Sequence, residues 1–186
     1  MVCRKEKRIP IQGKSYRDYV VNIVNTGLPV VVIDQPGGDV SWGNIGENVW
    51  SKETDFDNVT AGEITIYNAD GTVNLATATA MTRLRGNTTK DYPKKPFAVK
   101  LDSKASVLGM PKHKRWVLLA NWKDKSLMRN HIALGIARKF SEEMPDGIPW
   151  NVRGQFVEVV YNGVHIGNYY LCEQIKIDDN RVAIQD

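Results

Sequence analysis

Short apolar runs, mostly alternating with polar residues, recur along this chain, and in one place the spacing turns helical. LPVVVI (28–33) is β-branched and ends in Asp34-Gln35-Pro36-Gly37-Gly38, so it reads as a strand closed by a turn. ITIY (64–67) alternates faces, Asp70-Gly71 is a hairpin signal, and the return run reaches Arg85. Strand side chains repeat every two residues, so Arg83 and Arg85 share a face. FAVKL (97–101) is a further strand, with Lys100 in an apolar setting. SVLGMPKHK reads as a turn-rich connector, and RWVLLAN (115–121) as a strand. QFVEVVYNGVHIGNYYLCEQI folds as two strands about Asn162-Gly163, and RVAI (181–184) starts another.

Two stretches carry helical spacing. Ser15 precedes Tyr16, Tyr19, Val20, Ile23 and Val24, with Gly27 as a stop. Asp124 reads as the N-cap of a longer helix running to about Phe140. Met128, Ile132, Ile136 and Phe140 repeat every four residues along it, beside Leu127 and Leu134, and are expected to form its packing face. Residues 37–60 are rich in Gly, Asn, Ser and Asp and read as a surface loop pinned by Trp42 and Trp50. The fold class expected is α+β: an antiparallel or mixed sheet with one main packed helix. Residues 1–27 form a basic leader and short helix, and residues 28–186 the folded domain.

Charge changes the picture. Residues 81–130 hold 13 Lys and Arg against 3 Asp and no Glu, about +10 in a chain whose net charge is +4. The remainder is therefore acidic, and so concentrated a positive field calls for an anionic partner. Because FAVKL and WVLLAN interleave with the cations, this is a folded wall and not a solvated tail. Burying a lysine such as Lys100 is costly unless something anionic meets it. Nucleic acid, held by phosphate contacts and by stacking on Tyr92, Trp116 or Trp122, is one partner such a stretch could serve, and a nucleotide is another.

Other chemistry is sparse. His113, His131 and His165 have no second ligand at metal spacing, so no metal site is expected from them. Asp178-Asp179 reads as a solvated turn. Thr88 and Thr89 beside Lys90 belong to a polar loop, and Asn87-Thr88-Thr89 matches a glycosylation acceptor. Cys3 and Cys172 make no disulfide framework, and Cys172, in an apolar run, reads as a buried thiol. No run approaches the length of a membrane span, and no signal peptide is expected in this stretch.

Several blocks together resemble the spore-coat protein H (CotH) kinase family. They are Arg85-Gly86-Asn87, Tyr92-Pro93-Lys94-Lys95-Pro96, Trp116 to Asn121, Asp124-Lys125-Ser126-Leu127, Phe156 to Val159, Asn162-Gly163 and Glu173-Gln174-Ile175. The resemblance covers roughly 81–182 and extends loosely back to 28. It implies an atypical protein-kinase small lobe, secreted or at the cell surface, in a family some of whose members phosphorylate coat proteins with ATP and Mg. Nucleic acid then falls away as a partner. The resemblance further implies that Arg83, Arg85, Lys95 and Lys100 cradle phosphates, and that Glu173, Gln174 and Ile175 form a hinge-like segment against the adenine edge.

Three departures qualify the family pattern. There is no G-x-G-x-x-G loop, and no Glu lies within 124–140. The later lobe, which carries the family's catalytic and metal-holding aspartates, is expected to be absent. No catalytic or metal residue is therefore assigned, and the chain alone is expected to be inactive with weak ATP binding. The alternative is a non-catalytic surface, coat or adhesion module that uses its basic face.

Overall fold

The computed structural model describes residues 26–36, 56, 59–144 and 150–184. Seven strands close into a barrel: β1 (Val30–Asp34), β2 (Gly62–Tyr67), β3 (Val73–Leu84), β4 (Phe97–Val107), β5 (Met110–Leu119), β6 (Gly154–Tyr161) and β7 (Val164–Glu173). The order around the barrel is β1-β2-β3-β4-β5-β7-β6. Neighbours are antiparallel except at the seam, where β1 runs parallel to β6 with Val31 opposite Val159. One helix, α1 (Arg129–Glu143), lies between β5 and β6 in sequence.

This overturns the expected α+β sheet and small-lobe architecture. The local patterns for β1, β2, β3 and the β6–β7 hairpin are those read from the sequence, but closure comes from a pairing between segments about 128 residues apart. No local period encodes such a pairing. A closed barrel leaves no open sheet edges, which is one physical advantage of the arrangement.

The interior follows the period of two. Val31, Ile33, Phe97, Val99, Leu101, Trp116 and Leu118 point inward with Val157, Val159, Tyr161 and Leu171. Phe97 stacks on Tyr161 with ring centroids 5.6 Å apart. Each fully buried aliphatic side chain contributes about 1.5–3 kcal/mol, so this interior dominates the stability.

Three further expectations change. The 106–114 stretch is not a connector: β4 and β5 continue through it as a long hairpin, turning at Leu108 and Gly109, whose φ values are 48° and 77°. Its charged residues misled because one side of this ribbon is solvated. The RVAI segment forms only an isolated bridge, Ile177 to Val182. Helix α1 begins at Arg129, not at Asp124, and turns a different face to the barrel. His131 packs against Phe156 and Tyr170, and Leu134 joins a cluster with Val117, Val152, Tyr170 and Cys172 on the barrel's outer surface. Met128, Ile132, Ile136 and Phe140 are instead exposed. The 15–27 helix lies almost wholly outside the described residues, as do Cys3, Trp42 and Trp50.

Candidate functional site

The outer faces of β3, β4 and β5 form a basic wall. Register places Arg83 beside Ala98, which in turn pairs with Val117, and Lys100 between Met81 and Arg115. Arg83, Lys100 and Arg115 gather around Phe56, at 4.8, 5.9 and 4.4 Å from its ring centroid. Phe56 is buried, so its ring covers the wall at this point. The guanidinium of Arg83 also donates to the Leu84 carbonyl at 2.9 Å.

Just past the end of β3, Arg85 leads from the wall into a cleft of about 390 Å³. Gly86 starts the loop on its rim with φ 91°, and a Cβ there would lie 1.9 Å from Thr89 Oγ1, so no other residue fits without movement. The loop returns where the Arg85 amide donates to the Pro96 carbonyl at 3.1 Å. Lys94, Tyr92, Trp122, Lys123, Asn121, Asp124, Arg129 and Asn130 complete the lining.

Lys94 is the most constrained cation of the cleft. Its Nζ donates to the Asn168 carbonyl and sits 4.5 Å from the Tyr169 ring centroid. Burial pushes its pKa down, and the nearby Glu158 carboxylate pulls it partly back. Lys95 points elsewhere, donating to the Lys90 carbonyl at 2.8 Å, while the Tyr169 hydroxyl donates to the Lys95 carbonyl at 2.9 Å. Lys123 covers the Tyr92 ring at 4.9 Å.

The far rim is held by polar side chains. Asn121, at φ 51°, donates to the Leu127 carbonyl at 3.2 Å and accepts from Asn130 at 2.7 Å. Asp124 accepts from the Ser126 hydroxyl at 2.6 Å, the Ser126 amide at 3.0 Å and the Arg129 amide at 2.8 Å. The Ser126 and Arg129 bonds hold its carboxyl below the usual range. Asp124 thus caps α1 from a preceding turn, satisfying the first amide of the helix.

Of the residues singled out in the sequence, Arg83 and Lys100 meet on the wall and Arg85 lines the cleft. Glu173 lies deep in an ion triad. Arg181 donates to its Oε1 at 2.6 Å, and Arg153 donates to Oε1 at 2.9 Å and to Oε2 at 3.1 Å. Gln174 and Ile175 follow β7, level with the Arg115 end of the wall and away from the cleft. Arg115, Lys94 and Arg129 were missed as site residues. Arg115 could have been found from the β4–β5 register, had that hairpin been recognised.

Cys172 is a buried free thiol, pushed up to about 12 by desolvation. Among the described residues, no three His, Cys, Asp or Glu side chains gather as a metal site. Among the same residues, no helix is long and apolar enough to cross a membrane.

The closed β-barrel thus carries a basic outer wall beside an aromatic-rimmed cleft. The family model described as CotH kinase protein matches residues 82–185, and the chain belongs to that family. The match takes in the wall from Arg83 onward, the whole cleft and α1. No curated protein matches the chain. Membership implies, in general terms, a nucleotide and a protein substrate.

Proposed function

We propose that the cleft beside Arg85 receives the phosphate end of ATP, as the nucleotide-facing part of a protein-phosphorylating enzyme that acts at the cell surface or after secretion. The observation that carries this reading is the convergence of Arg85, Lys94, Lys123 and Arg129 with Tyr92 and Trp122 around one open volume. Cations meet phosphate oxygens as forks or point charges, and exposed rings offer a stacking face for a base. A volume of about 390 Å³ suits part of a nucleotide. Arg83, Lys100 and Arg115 add to the positive field from behind Phe56. Gln174 and Ile175 lie at the far end of the wall, away from this volume, and take no part in this reading.

The described residues fit the nucleotide but not its metal. Asp124 is the one acid lining the cleft among the described residues, and its oxygens already accept three hydrogen bonds. Phosphoryl transfer needs a positioned divalent metal and a group that orients the attacking hydroxyl. We therefore assign the described residues nucleotide binding without appreciable turnover.

Calorimetric titration with Mg-ATP tests this. Weak saturable binding is expected, and Arg85→Ala or Lys94→Ala each reduce affinity about tenfold, the scale of one charge-assisted contact. Lys95→Ala, facing its own loop, changes it by less than about twofold. Robust phosphorylation by this chain would refute the binding-only assignment. Attachment to an anionic polymer that ATP does not compete for would instead favour a non-catalytic binding module.

A further inference from the structure

Helix α1 presents an apolar face without a partner among the described residues. Ile132, Ile136 and Phe140 are 50–56% exposed, and Met128 and Met144 extend the stripe at its ends at 39% and 57%. Leaving this much apolar surface on one short helix calls for a partner. The charges identify which partner fits. At 100° and 1.5 Å per residue, Arg129 and Glu143, each seven positions from Ile136, lie within about 20° of its direction and about 10 Å to either side of it. The face therefore reads Arg–Ile–Ile–Phe–Glu, with opposite charges equidistant from a central isoleucine.

These charges oppose their own helix. Arg129 opens α1 at the positive end of its dipole, where Asp124 of the preceding turn lies 3.7 Å from its Nε, and Glu142 and Glu143 close it at the negative end; no acid lies in the first turn and no base in the last. An antiparallel second copy reverses the mismatch. Arg129 then lies beside the partner helix's C-terminal end and Glu143 beside its N-terminal end. The same register sets Ile136 on Ile136, Ile132 on Phe140, and Arg129 on Glu143. A two-fold interface must be self-complementary in this way.

We propose that α1 is a self-association surface, through which two copies of the chain pair antiparallel about a two-fold axis at Ile136. A contact limited to one helix of 15 residues is small, so the dimer is weak, with a dissociation constant of about 10–100 µM.

Sedimentation velocity across about 5–500 µM, bracketing that constant, tests it. The mass rises from 20.9 kDa toward twice that value. Ile136→Glu, which sets two like charges on the axis, keeps the chain at 20.9 kDa throughout with its circular dichroism unchanged. Arg129→Glu weakens pairing about tenfold, and adding Glu143→Arg restores it to within about threefold. The proposal is overturned by a wild-type chain that stays monomeric, by a dimer that survives Ile136→Glu, or by a charge swap that fails to restore pairing.

Discussion

His113 is a side chain whose protonation couples to the fold. It is buried, and its Nδ1 accepts the Arg115 amide at 2.9 Å, which the charged ring could not do. Burial and then the Arg181 charge push its pKa below 6.5, while the Arg115 carbonyl and Asp178 pull the other way and Lys104 adds to the depression. A depressed histidine binds fewer protons folded than unfolded, so the fold gains stability above the unfolded value and loses it below. The melting temperature is therefore expected to hold above about pH 6.5 and to fall by a few degrees toward pH 5, with His113→Gln flattening the decline. A pH series of thermal melts checks it; identical slopes in wild type and variant would contradict the assignment. At this scale the sequence was informative about residue type but not about surroundings. Cys172 read correctly as a buried thiol because its neighbours are apolar. Asp178 read as a solvated turn, yet its carboxylate receives Lys104 at 2.6 Å, from a strand more than 70 residues away.

Single elements show how a correct period can mislead about direction. The four-residue repeat from Met128 to Phe140 marks a helix, and a helix forms there. Its barrel-facing side is nevertheless the one carrying His131, Leu134 and Arg138, whose guanidinium donates to the Val152 carbonyl at 3.0 Å. Burial of an apolar stripe depends on what lies opposite it, which the helix's own residues do not specify. Strand β7 poses the reverse problem. Glu173 ends an apolar run, and only the fold reveals that the Glu173 and Arg181 side chains are both fully buried. Removing the carboxylate leaves a buried cation uncompensated, so Glu173→Ala is expected to cost about 3–5 kcal/mol in urea denaturation. Glu173→Gln, which keeps one acceptor, should cost less. A loss below about 1 kcal/mol for the alanine variant would mean that water reaches the triad.

The whole molecule depends on the seam that closes the barrel. Asn162 takes φ 45° in the β6–β7 turn and ties that turn to β1. Its amide donates to the Ile33 carbonyl at 2.8 Å, its Oδ1 accepts the Gln35 amide at 2.7 Å, and its Nδ2 donates to the Gln35 carbonyl at 3.0 Å. Gln35 in turn accepts the Thr82 amide at 3.3 Å and donates to the Thr60 carbonyl, joining β3 to the same junction. Asn162→Ala loses both side-chain bonds and strains a left-handed position, an expected loss of about 2–4 kcal/mol. Asn162→Gly relieves the strain alone, so the difference between the two variants in chemical denaturation separates the terms. Equal losses would remove backbone strain from the account.

By itself the sequence determined the local elements whose signals are complete within a few residues: the β1 run, the hairpins at Asp70-Gly71 and Asn162-Gly163, the presence of α1 and the concentration of positive charge. It also carried the family blocks. The tertiary structure decided the rest. Period-two alternation names two faces of a strand but not which is inside. Parallel closure of β1 on β6 depends on contacts across most of the chain. The β4–β5 ribbon hides its strand character behind solvated charges. The basic stretch therefore divides only in three dimensions, into a wall behind Phe56 and an open cleft at Arg85 and Lys94. The physical reason is the same throughout: local propensity acts over one turn or one strand, whereas burial and charge pairing are set by whatever the closed barrel brings alongside.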